Sequence, residues 1–426
     1  TKKISTKKLK PLTYIKYAVL LFMVVLMPML ITNDVGMGDP FFCKYLCPQG
    51  VLEGAIPLAA VNSGIRAALG ALFSWKLGIL ITVIVLSVLF YRPFCKWLCP
   101  LGAFYALLNK VSLFGMKVDK HKCVSCGMCM VSCPFGAISD KSQIFQLARA
   151  LSEGEEIVAE VAPAFVGQFG PNINVRNFKA ALEELGFSET YEVALGADIG
   201  AIAEAHHYVN KVTTGELPFL LTSCCPSWAM LAKKFFPDLI DQISQELTPM
   251  VATARTIKQE HPNANVVFIG PCAAKKLEAS RRTVRSDVDF VVTFEELQAM
   301  FDAKGIDLTA YEAESSFHDA TGAGRGYACA GGVAKAIEEC INEYYPGTQV
   351  NIEHAEGLAE CKKILTLAKA GRMNGCLIEG MGCPGGCIAG AGTNIPIPTA
   401  KKDVAAYVKN SSRALPPKEL EEIELK

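Results

Sequence analysis

Seventeen cysteines stand out among the 426 residues of this chain. Their odd number, and their clustering at gaps of two and three residues, suit metal ligation better than a disulfide scaffold. One cluster, Cys123-x2-Cys126-x2-Cys129-x3-Cys133-Pro134, has the spacing of a bacterial [4Fe–4S] run. Soft thiolates select iron–sulfur clusters or zinc. Three cysteines in so short a loop favour a cubane, because zinc sites usually pair two separate CxxC hooks.

Three later segments also carry residues suited to metal chemistry. They are LTSCCPSW at 221–228, IGPCAAKKLE at 269–278 and EGMGCPGGC at 379–387. Each places a cysteine at the end of a β-rich run, and open α/β folds bind ligands at the carboxyl ends of their strands. We therefore expect cysteines from three distant loops to converge on one site. Thiolates at this site would bind a buried, negatively charged metal cluster. The ammonium group of Lys275 would offset part of that charge.

The elements that position these segments are predicted from residue 144 onward by the spacing of apolar residues. Short β-rich runs predict strands at 156–161, 265–269 and 289–293. Apolar residues at three- and four-residue steps predict helices at 176–186, 199–212, 226–236, 249–260, 331–345 and 357–371. This alternation predicts an α/β domain in which helices cover a mainly parallel sheet.

The N-terminal part has two long apolar runs, at 14–31 and 75–91. Because about 20 apolar residues cross a bilayer, we predict two transmembrane helices and no cleaved signal peptide. Basic residues before the first run and after the second place both flanks in the cytoplasm. The apolar stretch 51–73 predicts an interfacial or re-entrant helix; a third span, the alternative, would put the flanks on opposite sides. The chain begins with Thr1, so we expect a missing N-terminal portion, which would bear on this orientation.

Two Cys-x3-Cys-Pro pairs accompany the predicted spans, Cys43 with Cys47 in FCKYLCPQG and Cys95 with Cys99 in FCKWLCPLG. This order, in which a span is followed by a cysteine pair and then by the ferredoxin run, resembles the membrane-bound polyferredoxin family of quinol-linked electron-transfer proteins. The resemblance covers residues 1 to about 135. With the predicted orientation, Cys95 and Cys99 would share the ferredoxin-side clusters. Cys43 and Cys47 would lie across the membrane as a second cluster, a redox dithiol or a disulfide. Idle structural thiols are the alternative for all four.

The three later segments resemble, in order and spacing, the signature motifs of the [FeFe] hydrogenase family, from about residue 120 to 392. The resemblance implies a two-lobed α/β catalytic domain, preceded by a ferredoxin-like 4Fe-4S segment and N-terminal transmembrane helices. It implies reversible H2 oxidation at an H-cluster, which is a 4Fe-4S cubane joined to a two-iron subsite with CO and cyanide ligands. At least one additional 4Fe-4S cluster would relay electrons. The implied cubane ligands are Cys225, Cys272, Cys383 and Cys387.

The same resemblance implies roles for other residues around the cluster. Cys387 would also bridge the cubane to the two-iron subsite, and Cys224 would be the proton donor to that subsite. Lys275 would hydrogen-bond a cyanide ligand, and Met381 would pack near the two irons. Tyr327 would border the pocket, with an ordinary core aromatic as the alternative.

The family's proton relay maps, beyond its cysteine, onto Glu204 and Ser244. Where the family has a second glutamate and an arginine, this chain has His207 and Lys211, which implies a modified exit for protons. Glu204 and His207 could instead be ordinary polar positions on an amphipathic helix. Gly270 is a further departure, because well-studied catalytic members have methionine there.

We expect four parts: a membrane module at 1–115, a ferredoxin-like segment at 116–143, a catalytic domain at 144–400 and a C-terminal helix and tail at 401–426. The leading hypothesis is a multi-pass cell-membrane hydrogenase with a cytoplasmic catalytic domain. It would exchange electrons between H2 or protons and a membrane or soluble carrier, such as a quinone or a ferredoxin-like protein. The alternative is an H2 or redox sensor, or a non-catalytic iron–sulfur electron-transfer protein.

Two other features bound these hypotheses. The 42 basic and 42 acidic side chains cancel, so nothing indicates nucleic-acid binding. Four remaining cysteines lie in apolar contexts and are expected to be inert small hydrophobes: Cys329, Cys340, Cys361 and Cys376.

Overall fold

The computed structural model describes residues 7–32, 37–67, 69–90, 93–111, 119, 121–133, 138–281, 284, 287–317 and 320–422. The chain separates into two compact units, divided between residues 117 and 118. The described part of the first unit is mainly helical, whereas the second alternates strands and helices.

The described residues of the first unit start with a helical stretch at 7–30, of which Pro11–Leu30 is long and apolar. Its parts are a 3-10 turn (Lys7–Tyr14), α1 (Ile15–Val19), a π-helical segment (Leu20–Leu26) and α2 (Met27–Leu30). Then come π-helical turns at Phe42–Leu46 and Gly50–Ala55, α3 (Ile56–Val61), α4 (Ser63–Ala67), α5 (Ala71–Leu89), α6 (Pro93–Trp97) and α7 (Pro100–Val111).

Two helices of this unit correspond to the predicted spans. The mean hydropathy is 1.9 for Pro11–Leu30 and 2.2 for Ala71–Leu89. Of the most apolar 18 residues in each helix, 0% are buried in the first and 6% in the second. Within the described ranges, these two are long and apolar enough to cross a membrane, by length and composition alone. The helix Gly50–Val61 is too short to span and ends at Asn62, whose side chain accepts the Gly64 N–H at 2.9 Å. The interfacial or re-entrant interpretation of 51–73 therefore stays a prediction.

The second unit contains seven strands among its described residues. In chain order they are β1 (Ile157–Val161), β2 (Glu189–Glu192), β3 (Leu220–Leu221), β4 (Asn265–Ile269), β5 (Phe290–Val292), β6 (Asn351–Glu356) and β7 (Cys376–Met381). Its helices are α8 (Met128–Val131), α9 (Ile144–Glu153), α10 (Val175–Leu185), α11 (Val193–His207), α12 (Pro226–Phe235), α13 (Pro249–Glu260), α14 (Ala273–Ala279), α15 (Phe294–Lys304), α16 (Gly322–Gly326), α17 (Gly332–Tyr344), α18 (Leu358–Lys369) and α19 (Ile397–Lys409).

Shorter helical pieces connect these elements. Five are 3-10 turns, at Pro163–Phe165, Pro237–Gln242, Leu308–Ala310, Cys387–Ala389 and Lys418–Glu422, counted over the described residues. The π-helical segment Tyr208–Val212 continues α11 directly. Such a segment rotates the side chains that follow it around the helix axis, which matters for Lys211 below.

The strands form two parallel sheets, one in each lobe of this unit. The first has the order β2-β1-β4-β5 and the second the order β3-β7-β6, as far as the described residues show. In register, Val161 lies beside Ile269 in the first sheet, and Leu221 beside Ile378 in the second. Parallel pairing brings the carboxyl ends of β1 and β4 together at one edge, and those of β3 and β7 at another.

Apolar side chains cover these sheets. The core of the first lobe stacks Phe165 on Phe178, with ring centroids 5.0 Å apart. In the second sheet successive residues face opposite sides, so Leu220 packs with the α11 and α17 side chains while Leu221 packs with those of α12 and α18. Both faces of the sheet are buried, as expected when helices form the crossovers.

Most of the predicted elements are confirmed. The helix at 249–260 and the strand at 265–269 have the predicted bounds, and the other strands and helices begin or end within a few residues of their prediction. The largest error concerns the helix predicted at 199–212, which begins at Val193. Its first turns are buried on nearly every side, so they lack the three- and four-residue periodicity on which the prediction rested.

Candidate metal centre and proton path

The two sheets point their strand ends at one cavity in the second unit. Segments that follow β1, β3, β4 and β7 line it. The lining is mainly apolar. It includes eight residues predicted from the sequence: Cys224, Cys225, Cys272, Lys275, Tyr327, Met381, Cys383 and Cys387.

The first motif is fixed by a tryptophan. Cys225 is the N-cap of α12, and Pro226 at the first helical position stabilises the turn that ends β3. The indole of Trp228 is fully buried, and its Nε1 donates to the Thr222 carbonyl at 3.0 Å. A Cβ at Gly380 would lie 2.0 Å from that ring, so only glycine lets β7 pass this close.

The second motif places its cysteine and its lysine on one short helix. Cys272 is the N-cap of α14, where it follows β4. The Lys275 ammonium donates to the Glu278 carboxylate at 2.7 Å, and both residues are buried. Burial would lower the pKa of Lys275, but Glu278 and the thiols of Cys272 and Cys224 outweigh this and raise it. The lysine is therefore a fixed cation at the cavity wall.

The third motif wraps the cavity with two glycines in the left-handed region. Gly385 and Gly386 have φ of +90° and +89°, and a Cβ at Gly386 would lie 2.5 Å from the Ala330 nitrogen. The turn brings Cys383 and Cys387 to the same wall. Glu379 of the same motif points elsewhere, since it accepts N–H groups at the start of α17.

Gly270 of the second motif is explained by packing. A Cβ there would lie 2.5 Å from the ring of Phe268 and 3.0 Å from the Ala162 Cβ. Both of these residues line the cavity. A methionine at 270 therefore requires Phe268 to move, which gives a steric reason for the departure noted in the sequence.

The environment of the thiols is compatible with a metal cluster. Burial raises the pKa of Cys272 to about 11 and raises the pKa values of Cys383 and Cys387 further, with the neighbouring thiols adding to the shift. Buried thiols of this kind ionise when a metal binds them. No three His, Cys, Asp or Glu side chains of the described residues lie close enough to hold a single ion. Four thiols spread around a larger cavity fit a multi-iron cluster better than zinc.

Tyr327 offers a second test of fit. Its hydroxyl is buried and, within the described part of the chain, has no hydrogen-bond partner. The ring lines the same cavity as Met381. A buried donor of this kind fits an occupant that carries hydrogen-bond acceptors, as the ligands of a two-iron subsite do.

Cys224 lies next to a buried carboxyl group. Burial first, and then the charge of Glu204, raises the pKa of Cys224 well above its ordinary value. Burial also raises the pKa of Glu204 to about 7, although hydrogen bonds from Ser244 and from the Ser223 N–H, at 3.4 Å, oppose this. Cys224, Glu204 and Ser244 are thus three neighbouring groups that can each exchange a proton.

The two outer positions of the expected relay behave differently. His207 Nδ1 lies 3.8 Å from Glu246 Oε1. Lys211, in the π-helical segment, pairs with Glu216 at the surface. Sequence analysis did not single out Glu246, because no motif contains it. Its position two residues after Ser244 was the one feature that could have pointed to it.

The ferredoxin loop belongs to the second unit. Ser125 and Gly127 have φ of 58° and 79°, which allow the tight turns between its cysteines. A Cβ at Gly127 would lie 2.6 Å from Ala391 and 3.1 Å from Ala273, beside the second motif. Lys234 also donates to a carbonyl of the loop at 2.6 Å. Pro134 lies outside the described residues.

This loop is close to the cavity. A thiolate at Cys126 raises the pKa of Cys383, after burial and the nearer cavity thiols. Cys123, Cys129 and Cys133 of the loop are partly buried. In the first unit Cys43 and Cys95 are exposed, and Cys47 and Cys99 partly buried; the Cys43 carbonyl accepts from Lys76 at 3.0 Å.

Comparison with known families decides the lineage. The family described as "Iron only hydrogenase large subunit, C-terminal domain" matches residues 155–391, more than half of the chain. The chain belongs to the iron-only hydrogenase family. A 4Fe-4S binding domain matches residues 116–139, and another matches residues 17–56 and 73–121. The predicted resemblance to the [FeFe] hydrogenase family is therefore confirmed. Iron–sulfur domains precede the iron-only hydrogenase domain in the chain.

Curated relatives of this iron-only hydrogenase family member have two kinds of name. The NADP-reducing hydrogenase subunit HndD of Solidesulfovibrio fructosivorans is 28% identical over 66% of this chain and 57% of its own length. Iron hydrogenase 1 of Clostridium pasteurianum is 27% identical over 61% of this chain and 54% of its own length. Protein NAR1 of Arabidopsis thaliana is 22% identical over 66% of this chain and 74% of its own length. The chain thus spans about half the length of the first two relatives.

A solved structure shares the fold. A variant of the apo [FeFe]-hydrogenase HydA1 from Chlamydomonas reinhardtii superposes with a TM-score of 0.54 at 22% identity, covering 65% of this chain and 92% of that one. The α/β fold of an [FeFe] hydrogenase, preceded by a ferredoxin-like segment, is therefore confirmed for the second unit.

Proposed function

We propose that this chain is a membrane-anchored iron-only hydrogenase that interconverts H2 with protons and electrons. The observation that carries the proposal is the convergence on one buried cavity of four cysteines, a buried lysine and a further cysteine beside a carboxyl group. A structural metal site needs the ligands but not the proton-exchanging neighbour. The combination therefore favours redox chemistry that consumes or releases protons.

Four residues would hold the cofactor. Cys225, Cys272, Cys383 and Cys387 would ligate the cubane of an H-cluster, and Cys387 would also help to hold the two-iron subsite. When bound, the H-cluster supplies an open iron site at which H–H bonds form and break. The mainly apolar lining around the four thiols lowers the local dielectric constant, which would strengthen the charge interactions there.

Three side chains would orient and stabilise the two-iron subsite. The Lys275 ammonium, fixed by Glu278, would donate a hydrogen bond to a cyanide ligand and offset the negative charge of the cluster. The hydroxyl of Tyr327 supplies a second donor at the cavity wall. Met381, 3% exposed, fills the remaining space with a polarizable side chain.

Protons would move through Cys224, Glu204 and Ser244. Cys224 would deliver a proton to the cofactor and take one back in the reverse direction. A Glu204 carboxyl with a pKa of about 7 can both donate and accept near neutral pH, which suits reversible transfer. Ser244, hydrogen-bonded to that carboxyl, would pass the proton by accepting one and releasing its own.

Electrons would reach the cavity through iron–sulfur clusters. Cys123, Cys126, Cys129 and Cys133 would bind an additional 4Fe-4S cluster, and the proximity of Cys126 to Cys383 supports direct transfer between clusters. Cys95 and Cys99 would share in this relay. Cys43 and Cys47 would bind a second cluster or form a redox pair.

The four predicted parts would set the protein's place in the cell. The module at 1–115 would anchor it in the cell membrane as a multi-pass protein, with a ferredoxin-like segment at 116–143, a cytoplasmic catalytic domain at 144–400 and a tail at 401–426. Two apolar helices with exposed side chains support the anchor. The electron partner would be a membrane or soluble carrier, such as a quinone or a ferredoxin-like protein.

Infrared spectroscopy tests this function. The full chain, matured anaerobically, should show metal-bound CO and cyanide stretches, and the absence of both after maturation would remove the hydrogenase proposal. A methyl-viologen assay then measures H2 production. A chain with the stretches but without turnover would be a sensor.

The second candidate is an H2 sensor or a non-catalytic iron–sulfur protein. It is favoured by relatives whose names are not those of hydrogenases, such as the cytosolic iron-sulfur assembly component 3 of Bos taurus, 23% identical over 65% of this chain. Gly270, with its bulky neighbour Phe268, also alters one wall of the cavity. Cys224 favours catalysis instead, because losing a proton donor is a simple way to become a slow sensor.

A further inference from the structure

We propose that Glu246, together with His207, forms the surface end of the proton route that begins at Cys224. This inference rests on the proposed hydrogenase function and names a residue of its route that no motif contains. Glu246 replaces Lys211 as the group through which protons leave the protein.

Two pairs of side chains face each other across the gap between α11 and the loop before α13. On α11, Glu204 and His207 are three residues apart and so are neighbours on one face of the helix. On the loop, the Glu246 N–H donates to the Ser244 hydroxyl at 3.3 Å, and this turn keeps the two residues together. The inner pair joins Glu204 to Ser244, and the outer pair joins His207 to Glu246.

Burial falls from the inner pair to the outer pair. Glu204 and Ser244 are 4% and 3% exposed, whereas the Glu246 and His207 side chains are 38% and 21% exposed. Glu246 is also close enough to Glu204 that its negative charge helps to raise the pKa of that group, after burial and the hydrogen bonds from Ser244 and Ser223. The Ser223 hydroxyl fixes the loop by donating to the Glu246 carbonyl at 3.1 Å.

The transfer balances without another reactant. For H2 production, the partly exposed Glu246 carboxyl passes its proton through water to the Ser244 hydroxyl, which passes its own proton to the Glu204 carboxylate. Glu204 then protonates the Cys224 thiolate, and Glu246 recovers a proton from water or from the His207 imidazolium. The reverse order carries protons outward during H2 oxidation. Each step breaks one O–H, N–H or S–H bond and forms another.

Lys211 is excluded from this route by its surroundings. It lies in the π-helical segment and pairs with Glu216. Both side chains are well exposed, at 42% and 59%. The Lys211–Glu216 pair is therefore a surface pair that supplies a matched control.

Turnover is the first test. In the full chain, Glu246→Gln should retain the CO and cyanide stretches and lower viologen-driven H2 production roughly 10-fold or more, the scale of a lost proton-transfer group. Glu246→Asp should recover most of that loss, since it keeps the carboxyl. Glu216→Gln should match the unsubstituted chain. Unchanged production in Glu246→Gln would overturn the inference, whereas missing stretches in the unsubstituted chain would overturn the proposed function.

Proton exchange is the second test and needs no cofactor. In the unmatured full chain below pH 7, the buried Glu204 acid should give a carboxylic C=O band, identified by its loss in Glu204→Gln. After mixing with D2O, the isotopic shift of that band should be roughly 10-fold slower in Glu246→Gln and unchanged in Glu216→Gln. Equal exchange rates in both variants would show that protons reach Glu204 by another path.

Discussion

The cysteines of the two units differ in how the fold holds them. In the second unit, each thiol of the cavity follows a strand end or a glycine turn, and burial raises the pKa of the thiols that would close the cubane, Cys272 and Cys387 among them. In the first unit, Cys43 and Cys95 are exposed. Strand ends and a mainly apolar lining make a preorganised site, whereas the short helical motifs of the first unit leave one cysteine of each pair exposed. The cavity is therefore the part of the molecule in which single substitutions should have the largest consequences.

Replacing one cysteine in each unit should test most directly whether the cavity thiols matter more than those of the first unit. Cys387→Ser in the full chain should abolish the CO and cyanide stretches and reduce viologen-driven H2 production to background, because the bridging ligand of both parts of the cofactor is lost. Cys43→Ser should retain both, since viologen supplies electrons without the membrane module. Stretches of full intensity in Cys387→Ser would refute the assignment of the cavity.

Substituting the proton donor should separate cofactor binding from turnover within the cavity. Cys224→Ala should keep the stretches and lower H2 production about 100- to 10,000-fold, which is the usual contribution of a positioned acid or base. Cys340→Ala is the matched control, because Cys340 is a fully buried thiol of the second lobe that does not line the cavity. If Cys224→Ala is as active as Cys340→Ala, Cys224 is not in the proton route.

The neighbouring carboxyl should show a pH dependence that no exposed carboxylate shares. Burial raises the pKa of Glu204 from 4.5 to about 7, so it is protonated below that pH and ionised above it. An unfolded chain ionises near 4.5, so the folded state loses roughly 3 kcal/mol of stability as the pH rises from 4.5 to 7. Infrared titration of its carboxylic C=O band should give a midpoint near 7. Thermal melting of Glu204→Gln should lack this part of the pH dependence.

A titration midpoint near 4.5 would contradict the burial argument. It would mean that water reaches Glu204, and the carboxyl would then be a poor partner for Cys224 near neutral pH. The control is Glu216→Gln, which removes an exposed carboxylate and should leave both the band and the pH dependence of melting as they are.

The sequence specified the cavity better than its proton exit, for a physical reason. Cys225, Cys272 and Cys383 each follow a β-rich run, and parallel strands of one sheet end at the same edge, so the order of residues alone predicts that these cysteines meet. Lys275 comes with them because it shares a helix with Cys272. Local patterns therefore predict most of the residues that line the cavity.

The exit depends on contacts between elements that are distant in the chain. His207 meets Glu246 across 39 positions, and no periodicity predicts which loop faces α11. Lys211 pairs with Glu216 at the surface, and no residue of the π-helical segment that carries it signals that segment in the sequence. The sequence also could not explain why a glycine stands at position 270. The reason is the nearby ring of Phe268, and this contact is seen only in the folded structure.

Substituting one glycine in each unit should give the smallest effects, but effects of opposite sign on stability. Gly380→Ala would bring a Cβ to 2.0 Å from the buried Trp228 ring and should destabilise the second unit by about 1–3 kcal/mol, seen as a lower melting temperature and weaker CO and cyanide stretches. Gly78→Ala, in α5 with no atom within 4 Å of the added Cβ, should be neutral or stabilise its helix by up to about 1 kcal/mol. Each unit tolerates substitution according to how closely its elements approach. Equal melting temperatures for the two variants would mean that β7 can move away from Trp228, and the first motif would then be held less firmly than its packing indicates.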